Sequence, residues 1–416
     1  MLLVTNGRLT NCVAIEGSLI KEVGDTDVLS SKYPGAEIID AKGGMILPGN
    51  INAHNHIYSA FARGLALPDF APQSFGEILE GLWWKLDRKL RVEDVKWSAY
   101  AILLDCIKNG TTTVFDHHAS YGEVRGSLFA IADVAKELGV RVNLCYEVSD
   151  RDGEAKMHEA VTENEEFIRY AAKDTTDMVA GMMGLHASFT LSDKTIEHCR
   201  KRTPEGVGFH IHVAEGPEDV DDCQKKYGKR VVERLYDMEV LGKNTIAGHC
   251  VHIDENEMDL LKESGTMVVH NPQSNMGNKV GIPACAEMIG HGILMGLGTD
   301  GYTQDMFESQ KVASLLHGPA WRHENAAIAA NSFSTKLGVL EAGAAADIII
   351  CDYDPPTLIY ESNLAGHMHF GINGLSVVTT IINGEVKMKD RKFVGIDSRA
   401  IMAKCREQAK ALWGNL

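Results

Sequence analysis

Between about residues 50 and 335 the chain alternates short β-branched apolar runs with stretches of helical periodicity. Eight runs read as strands: Ile51–His54, Thr111–Asp116, Val140–Tyr146, Val179–Gly184, Gly208–Val213, Thr245–His249, Met267–His270 and Leu294–Thr299. Helical stretches lie between most of them, such as Val92–Lys108, Ser127–Leu138 and Asp254–Ser264. Eight units of this kind predict a (β/α)8 TIM barrel. A doubly wound open sheet is the alternative, but it wants a glycine-rich phosphate turn after an early strand, and the sequence has none.

The two ends carry a different pattern. Leu2–Thr5, Asn6–Gly7 and Arg8–Thr10 read as a hairpin, and Thr379–Ile382, Asn383–Gly384 and Glu385–Met388 as a second one. The fragments VTNGRL and IINGEV are alike, and Ala346–Cys351 is a further apolar strand. We expect a small β-sandwich domain built from residues 1–50 and 341–416 around a barrel of residues 51–340, with the two hairpins in one sheet. Ser398–Trp413 reads as a closing helix.

Composition narrows the class of partner. With 41 Lys and Arg against 57 Asp and Glu, the net charge is −16. That argues against nucleic acid, which needs a basic stripe, and against an anionic membrane. No run approaches the ~20 apolar residues of a membrane span, and the start MLLVTNGRLT lacks the form of a secretory signal. The nine cysteines are scattered without a CxxC pair, which argues against a disulfide framework and for a reducing, cytoplasmic setting.

Most predicted strands run straight into His, Asp or Glu: His54 and His56, Asp116-His117-His118, Glu147, His186, His212 with Glu215, His249, His270 and Asp300. In a barrel all C-terminal strand ends meet on one face, so these residues converge. His54 and His56 are two apart, which on a strand sends both to one side, and two neutral imidazoles there can hold a metal. His212, closing the fifth strand, supplies a third nitrogen. His210 shares its parity and reads as a deeper, structural residue. Glu215 has left the strand and can overhang the ion, where burial would let it shuttle protons. His249 is a candidate fourth ligand or an orienter of water, whereas His252 lies beyond the strand. Asp300, in MGLGTDG, can ligate an ion and take a proton from water. The fourth strand ends in Gly184-Leu185-His186, with no Lys to bridge two ions, so one metal is expected and His186 faces substrate. Gln73–Leu86, with Trp83 and Trp84, could be a lid over the mouth, although adjacent Trp on an amphipathic helix more often serve packing.

LPGNINAHNH, HVAE, AGHCVH, HNPQSNMGNKVGIP and GLGTDG together resemble the amidohydrolase superfamily, its deaminase and chlorohydrolase branch. DHHAS, GLHASFTLSD, LEAGAAADIIICDYDPPT and NLAGHMHFG resemble the SsnA-type aminohydrolases within it, and the likeness covers nearly the whole chain. The resemblance implies that His54, His56, His212 and Asp300 bind one divalent metal, most simply Zn, with Fe or Mn as alternatives. It implies that Asp300 is also the base, Glu215 the proton-shuttling acid, and His249 the holder of attacking water and tetrahedral intermediate. His186 matches a substrate-contacting position, and one of His117 and His118 is expected in the pocket. The stretch NSFSTKLG departs from relatives, which often carry a longer alanine-rich helix there.

The implied activity is hydrolytic deamination of an amino-substituted nitrogen heterocycle. Chlorohydrolase or cyclic-amide hydrolase chemistry on the same scaffold is the alternative, and a metal-binding accessory protein without turnover a third. A homo-oligomer is compatible with the likeness.

Overall fold

The computed structural model describes residues 1–68, 70–318 and 321–416. Five strands precede the barrel: β1 (Leu2–Thr5), β2 (Cys12–Glu16), β3 (Leu19–Gly24), β4 (Glu37–Asp40) and β5 (Met45–Pro48). The barrel strands are β6 (Asn50–Asn55), β7 (Thr111–His118), β8 (Arg141–Tyr146), β9 (Val179–Gly181), β10 (Met183–Ala187), β11 (Phe209–Val213), β12 (Ile246–His249), β13 (Met267–His270) and β14 (Met295–Leu297). Four more follow it: β15 (Ile348–Cys351), β16 (Val377–Ile382), β17 (Glu385–Lys389) and β18 (Lys392–Phe393).

The middle of the chain is a (β/α)8 barrel. Its strands form two parallel sheets, β6-β7-β8-β9 and β10-β11-β12-β13-β14, joined at both edges. Val148 bridges to Leu185 and Asn55 to Asp300, and the Thr299 and Asp300 N–H groups both donate to the His54 carbonyl. β9 and β10 together make the fourth stave, so the strand expected over Val179–Gly184 is broken at Met182 and extended to Ala187. His186 therefore lies within a strand. β7 is buried at every position, as expected of a parallel strand with helices outside and packed side chains inside. The helix predicted over Asp254–Ser264 runs Glu255–Ser264, with Asp254 as its cap in a reciprocal capping box with Glu257.

Both ends build a β-sandwich, but not in one sheet. β3-β2-β1-β4 is the first sheet, and β18-β17-β16-β15-β5 the second, so only β5 crosses from the N-terminal piece. The sheets share an apolar cluster that includes Val4, Val13, Ile15, Ile39, Ile46, Ile348, Ile350 and Ile381. The first hairpin also differs from expectation. β1 pairs with Cys12–Glu16 instead of Arg8–Thr10. Arg8 is drawn away because its N–H donates to the Gly44 carbonyl, and it bridges to Met45. The second hairpin forms as read, with Asn383 and Gly384 at φ 51° and 80°, the double left-handed turn that suits an Asn-Gly pair.

Barrel and sandwich approach closely at Gly110, which ends the helix Val92–Asn109 at φ 76°. A Cβ there would lie 2.9 Å from the Ile349 side chain, so both conformation and space call for glycine. The helix Ser398–Trp413 returns to the barrel, where Trp413 Nε1 donates to the Phe61 carbonyl at 2.7 Å. All nine cysteines are buried and unpaired. No described helix is long and apolar enough to cross a membrane.

Candidate metal centre

The strand ends deliver their polar residues to one cleft. It is lined by His56, His186, His212, Glu215 and Asp300 from the expected set, with Trp83 and Trp84 along one side. Ligand-capable atoms of His54, His56 and His212 come within 4.8 Å of one another, as do those of His54, His249 and Asp300.

The imidazole orientations are fixed from behind. His56 Nδ1 lies 2.5 Å from the His117 carbonyl and His212 Nδ1 2.9 Å from the His186 carbonyl. A carbonyl only accepts, so each Nδ1 carries a hydrogen and each Nε2 is the atom turned to the cleft. Those two Nε2 atoms face each other at 3.3 Å. Asp300 Oδ1 lies 2.9 Å from His56 Nε2 and 3.9 Å from His54 Nε2, and His54 Nε2 is buried without a hydrogen-bond partner. Three imidazole nitrogens and a carboxylate gathered in so small a space suit a shared cation. Three imidazoles and a carboxylate fit a divalent ion of the zinc class. His210, the deeper residue of β11, braces His54 Nδ1 at 2.7 Å.

Above this cluster sit two carboxyl groups with opposite tendencies. Burial pushes Glu215 up to about 7, with His249 working against the rise and Asp300 adding to it. Burial would also raise Asp300, but His56 beside it outweighs that and holds the carboxyl below its usual range. One group can therefore carry a proton at neutral pH while the other stays ionised, the division that acid–base chemistry requires. His249 stands between them, its Nε2 3.5 Å from Glu215 Oε2 and 3.7 Å from Asp300 Oδ2. Its Nδ1 is held by Asn275 Oδ1 at 2.8 Å. Ala214, His249 and Asp300 have left-handed backbones, with φ 45°, 70° and 54°. The chain thus turns sharply as it leaves three strands, which sets these side chains over the cleft.

Other expected residues fall elsewhere. His186 lines the cleft and is anchored through Nδ1 to Thr190 Oγ1 at 2.7 Å. Neither His117 nor His118 lines it, contrary to the expectation that one would. His117 points inward but lies deep, with Nε2 3.0 Å from the Leu185 carbonyl and 3.1 Å from that of His210. His118 points out of the barrel toward Tyr58 and Tyr146. His252 ties a loop down at the Val280 carbonyl. His270 packs on His317, outside the cleft. The Trp pair does both things considered for it. The helical segment from Phe75 to Asp87 roofs the cleft with Phe75, Leu79, Trp83 and Trp84, while Trp84 also stacks on Phe189. Two positions of the stretch from Asp300 to Leu337, 319 and 320, lie outside the described residues.

Sequence reasoning missed Asn275 and Asn278. Asn278 Nδ2 donates to Glu215 Oε1 at 3.3 Å. Both follow the expected strand end at His270, within SNMGN, where a Pro-led helical turn over Pro272–Gly277 aims their amides back at the cleft.

Comparison with known proteins gives the family. Residues 45–387 match the model of the amidohydrolase family. The chain is 32% identical, over 90% of its length and 89% of the relative's, to a 5-methylthioadenosine/S-adenosylhomocysteine deaminase of Thermococcus sibiricus. Its fold is similar to that of an adenosine deaminase from Xanthomonas campestris with bound zinc, at a TM-score of 0.85 and 20% identity over 99% and 98% of the two chains. It is also similar to atrazine chlorohydrolase from Arthrobacter aurescens complexed with zinc, at 0.81 and 22% over 98% and 100%. The chain belongs to the amidohydrolase family, as a hydrolase of carbon–nitrogen bonds whose site is built for a divalent metal.

Proposed function

We propose that the protein is a mononuclear, zinc-type aminohydrolase that deaminates a purine- or pyrimidine-like ring, with His54, His56, His212 and Asp300 as ligands. The observation that carries this is the pair of carboxyl groups, Glu215 pushed up and Asp300 held down, on either side of His249. A site that merely stored metal would need neither Glu215 nor His249. The resident ion, when bound, acidifies water and acts as a Lewis acid. Asp300 accepts the proton of the attacking water. Glu215 gives its proton to the ring nitrogen, takes up the one Asp300 accepted and passes it to the departing amine, so that ammonia leaves, and it recovers the hydroxyl proton as the new carbonyl forms. His249, steadied by Asn275, holds the oxygen that attacks. His186 contacts the ring from the opposite wall, and the Trp83–Trp84 roof excludes water.

Ammonia release from a panel of amino-substituted purines, pyrimidines and triazines tests the reading. The deaminase assignment fails if no member yields ammonia from metal-replete protein. Metal analysis tests the count: about one transition metal per chain is expected. His54→Ala and His212→Ala should lower occupancy, and His186→Ala should not. Two ions per chain, both dependent on these residues, would overturn the mononuclear assignment.

A further inference from the structure

At the end of β8 stands a carboxylate that the mechanism does not use, Glu147. Glu147 is 3% exposed, and what exposure it has opens into the cleft. A carboxylate so buried normally accepts several hydrogen bonds. This one accepts none from the described residues. The cationic and imidazole nitrogens beside it are His117 Nδ1 at 3.6 Å, Arg151 Nη2 at 3.7 Å and His186 Nε2 at 3.9 Å. All stand beyond the ~3.2 Å reach of an N–H···O bond.

The cause is a competition for Arg151. Asp87 takes the guanidinium, accepting from both of its terminal nitrogens. Tyr121 and Trp84 hold it by their ring faces, 4.1 and 5.1 Å from its central carbon. Arg151 is thus clamped on three sides and stays 3.7 Å from Glu147. Asp87, Asp152 and Glu147 share this one guanidinium, and of the three Glu147 faces the cleft. Burial alone would push the Glu147 carboxyl up, but His186, His117 and Arg151 outweigh it and keep the group ionised.

Its place limits what it can read. One Glu147 oxygen lies within 4.8 Å of ligand-capable atoms of His117 and His212, so it stands one side chain away from the proposed metal. A group touching Glu147 is therefore close to the reacting carbon. We propose that Glu147 is a specificity-determining residue that accepts a hydrogen bond from a second N–H or amino group on the substrate ring, selecting diamino- or ring-NH heterocycles over their mono-amino analogues. This rests on the aminohydrolase reading above and names the substrate class within it. A polar acceptor left unpaired in a buried site rejects the analogue that lacks the donor far more strongly than a missing methyl group is rejected.

The test compares 2,6-diaminopurine with 6-aminopurine, and 2,4-diaminopyrimidine with 4-aminopyrimidine, on the metal-replete enzyme. Wild type should prefer the diamino member of each pair by about 10⁴-fold in kcat/KM. Glu147→Gln, which keeps size and one acceptor oxygen, should narrow that ratio to less than about tenfold, and Glu147→Leu should bring it near one. Equal losses on both members would overturn the assignment. So would a preference carried only by sugar hydroxyls, seen as adenosine over 2′,3′-dideoxyadenosine with no effect of the ring amine. A fall in bound metal in Glu147→Gln would make the carboxylate a ligand and also overturn it. Quenching of Trp83 and Trp84 fluorescence gives affinities without turnover. If no ammonia is released but wild type still binds the diamino member more tightly and Glu147→Gln does not, the deaminase reading fails and the donor-reading role stands. Equal binding of the two members by wild type removes the role whatever the activity.

Discussion

Glu215→Gln is expected to retain its metal and to lose about 10²–10⁴-fold in kcat, the usual worth of a positioned general acid. The substitution keeps the size of the side chain and leaves Asn278 a partner for the remaining carbonyl oxygen. It removes only the ability to carry a proton. Glu215 supplies no atom to the cluster of His54, His56 and His212, so metal content should not move. Asp300→Asn should lose comparable activity and also bind metal more weakly, because that residue both ligates and accepts a proton in the proposed mechanism. The leaving group separates the roles further. An amine leaves only when protonated, whereas chloride does not need a proton. A large loss on an amino substrate with a small loss on its chloro analogue would support the assignment. Near wild-type ammonia release by Glu215→Gln would transfer the acid role to another residue, with His249 the first to examine.

Deleting residues 379–416 is expected to prevent folding, although every proposed ligand remains. The deletion removes most of β16, which lies between β15 and β17 in the second sheet, together with the helix that docks on the barrel. It also removes the bond from Thr380 Oγ1 to the Ile107 carbonyl at 2.8 Å, which ties that sheet to a barrel helix. A soluble truncated protein with unchanged Tm and metal content would refute the dependence. A single substitution probes the same joint. Arg141 of β8, 1% exposed, pairs with Asp347, 2% exposed, at the entrance to β15. Asp347 in turn accepts from the Asn383 N–H at 2.7 Å. Arg141→Met leaves a buried carboxylate with no counter-charge, which costs about 3–5 kcal/mol. A fall of that size in the unfolding free energy, read from denaturant titration, is expected. Adding Asp347→Leu should recover part of it, because the stranded charge is then gone.

The features legible in the sequence were those set by strand periodicity. Two-residue spacing put His54 and His56 on one wall, and the position of Asp300 after an apolar strand put it at the same height. The same rule sent one of His117 and His118 inward. It could not say how deep, and His117 ended below the cleft because carbonyls of two neighbouring strands capture its ring. Glu147 was visible as a strand end, but its state depends on Asp87, sixty-four residues from the arginine it holds. No local pattern reports such a contact. Asn275 and Asn278 were hidden for a similar reason, since a short turn after β13 folds them back on His249 and Glu215. At the N-terminus the Asn6-Gly7 pair signalled a tight hairpin, and the pull of Gly44 on Arg8 overrode it.

The left-handed backbones of Ala214, His249 and Asp300 bear on how this chain can change over generations. A non-glycine residue held there costs roughly 1–3 kcal/mol, which only usefulness can retain. A duplicate released from selection for turnover would gain stability by drifting to glycine or asparagine at these places. Histidines buried in the barrel would be slower to go, because their removal opens holes in a packed interior. Among descendants of this chain, the first mark of retirement should therefore appear at the strand exits, while the histidines proposed as metal ligands are still in place.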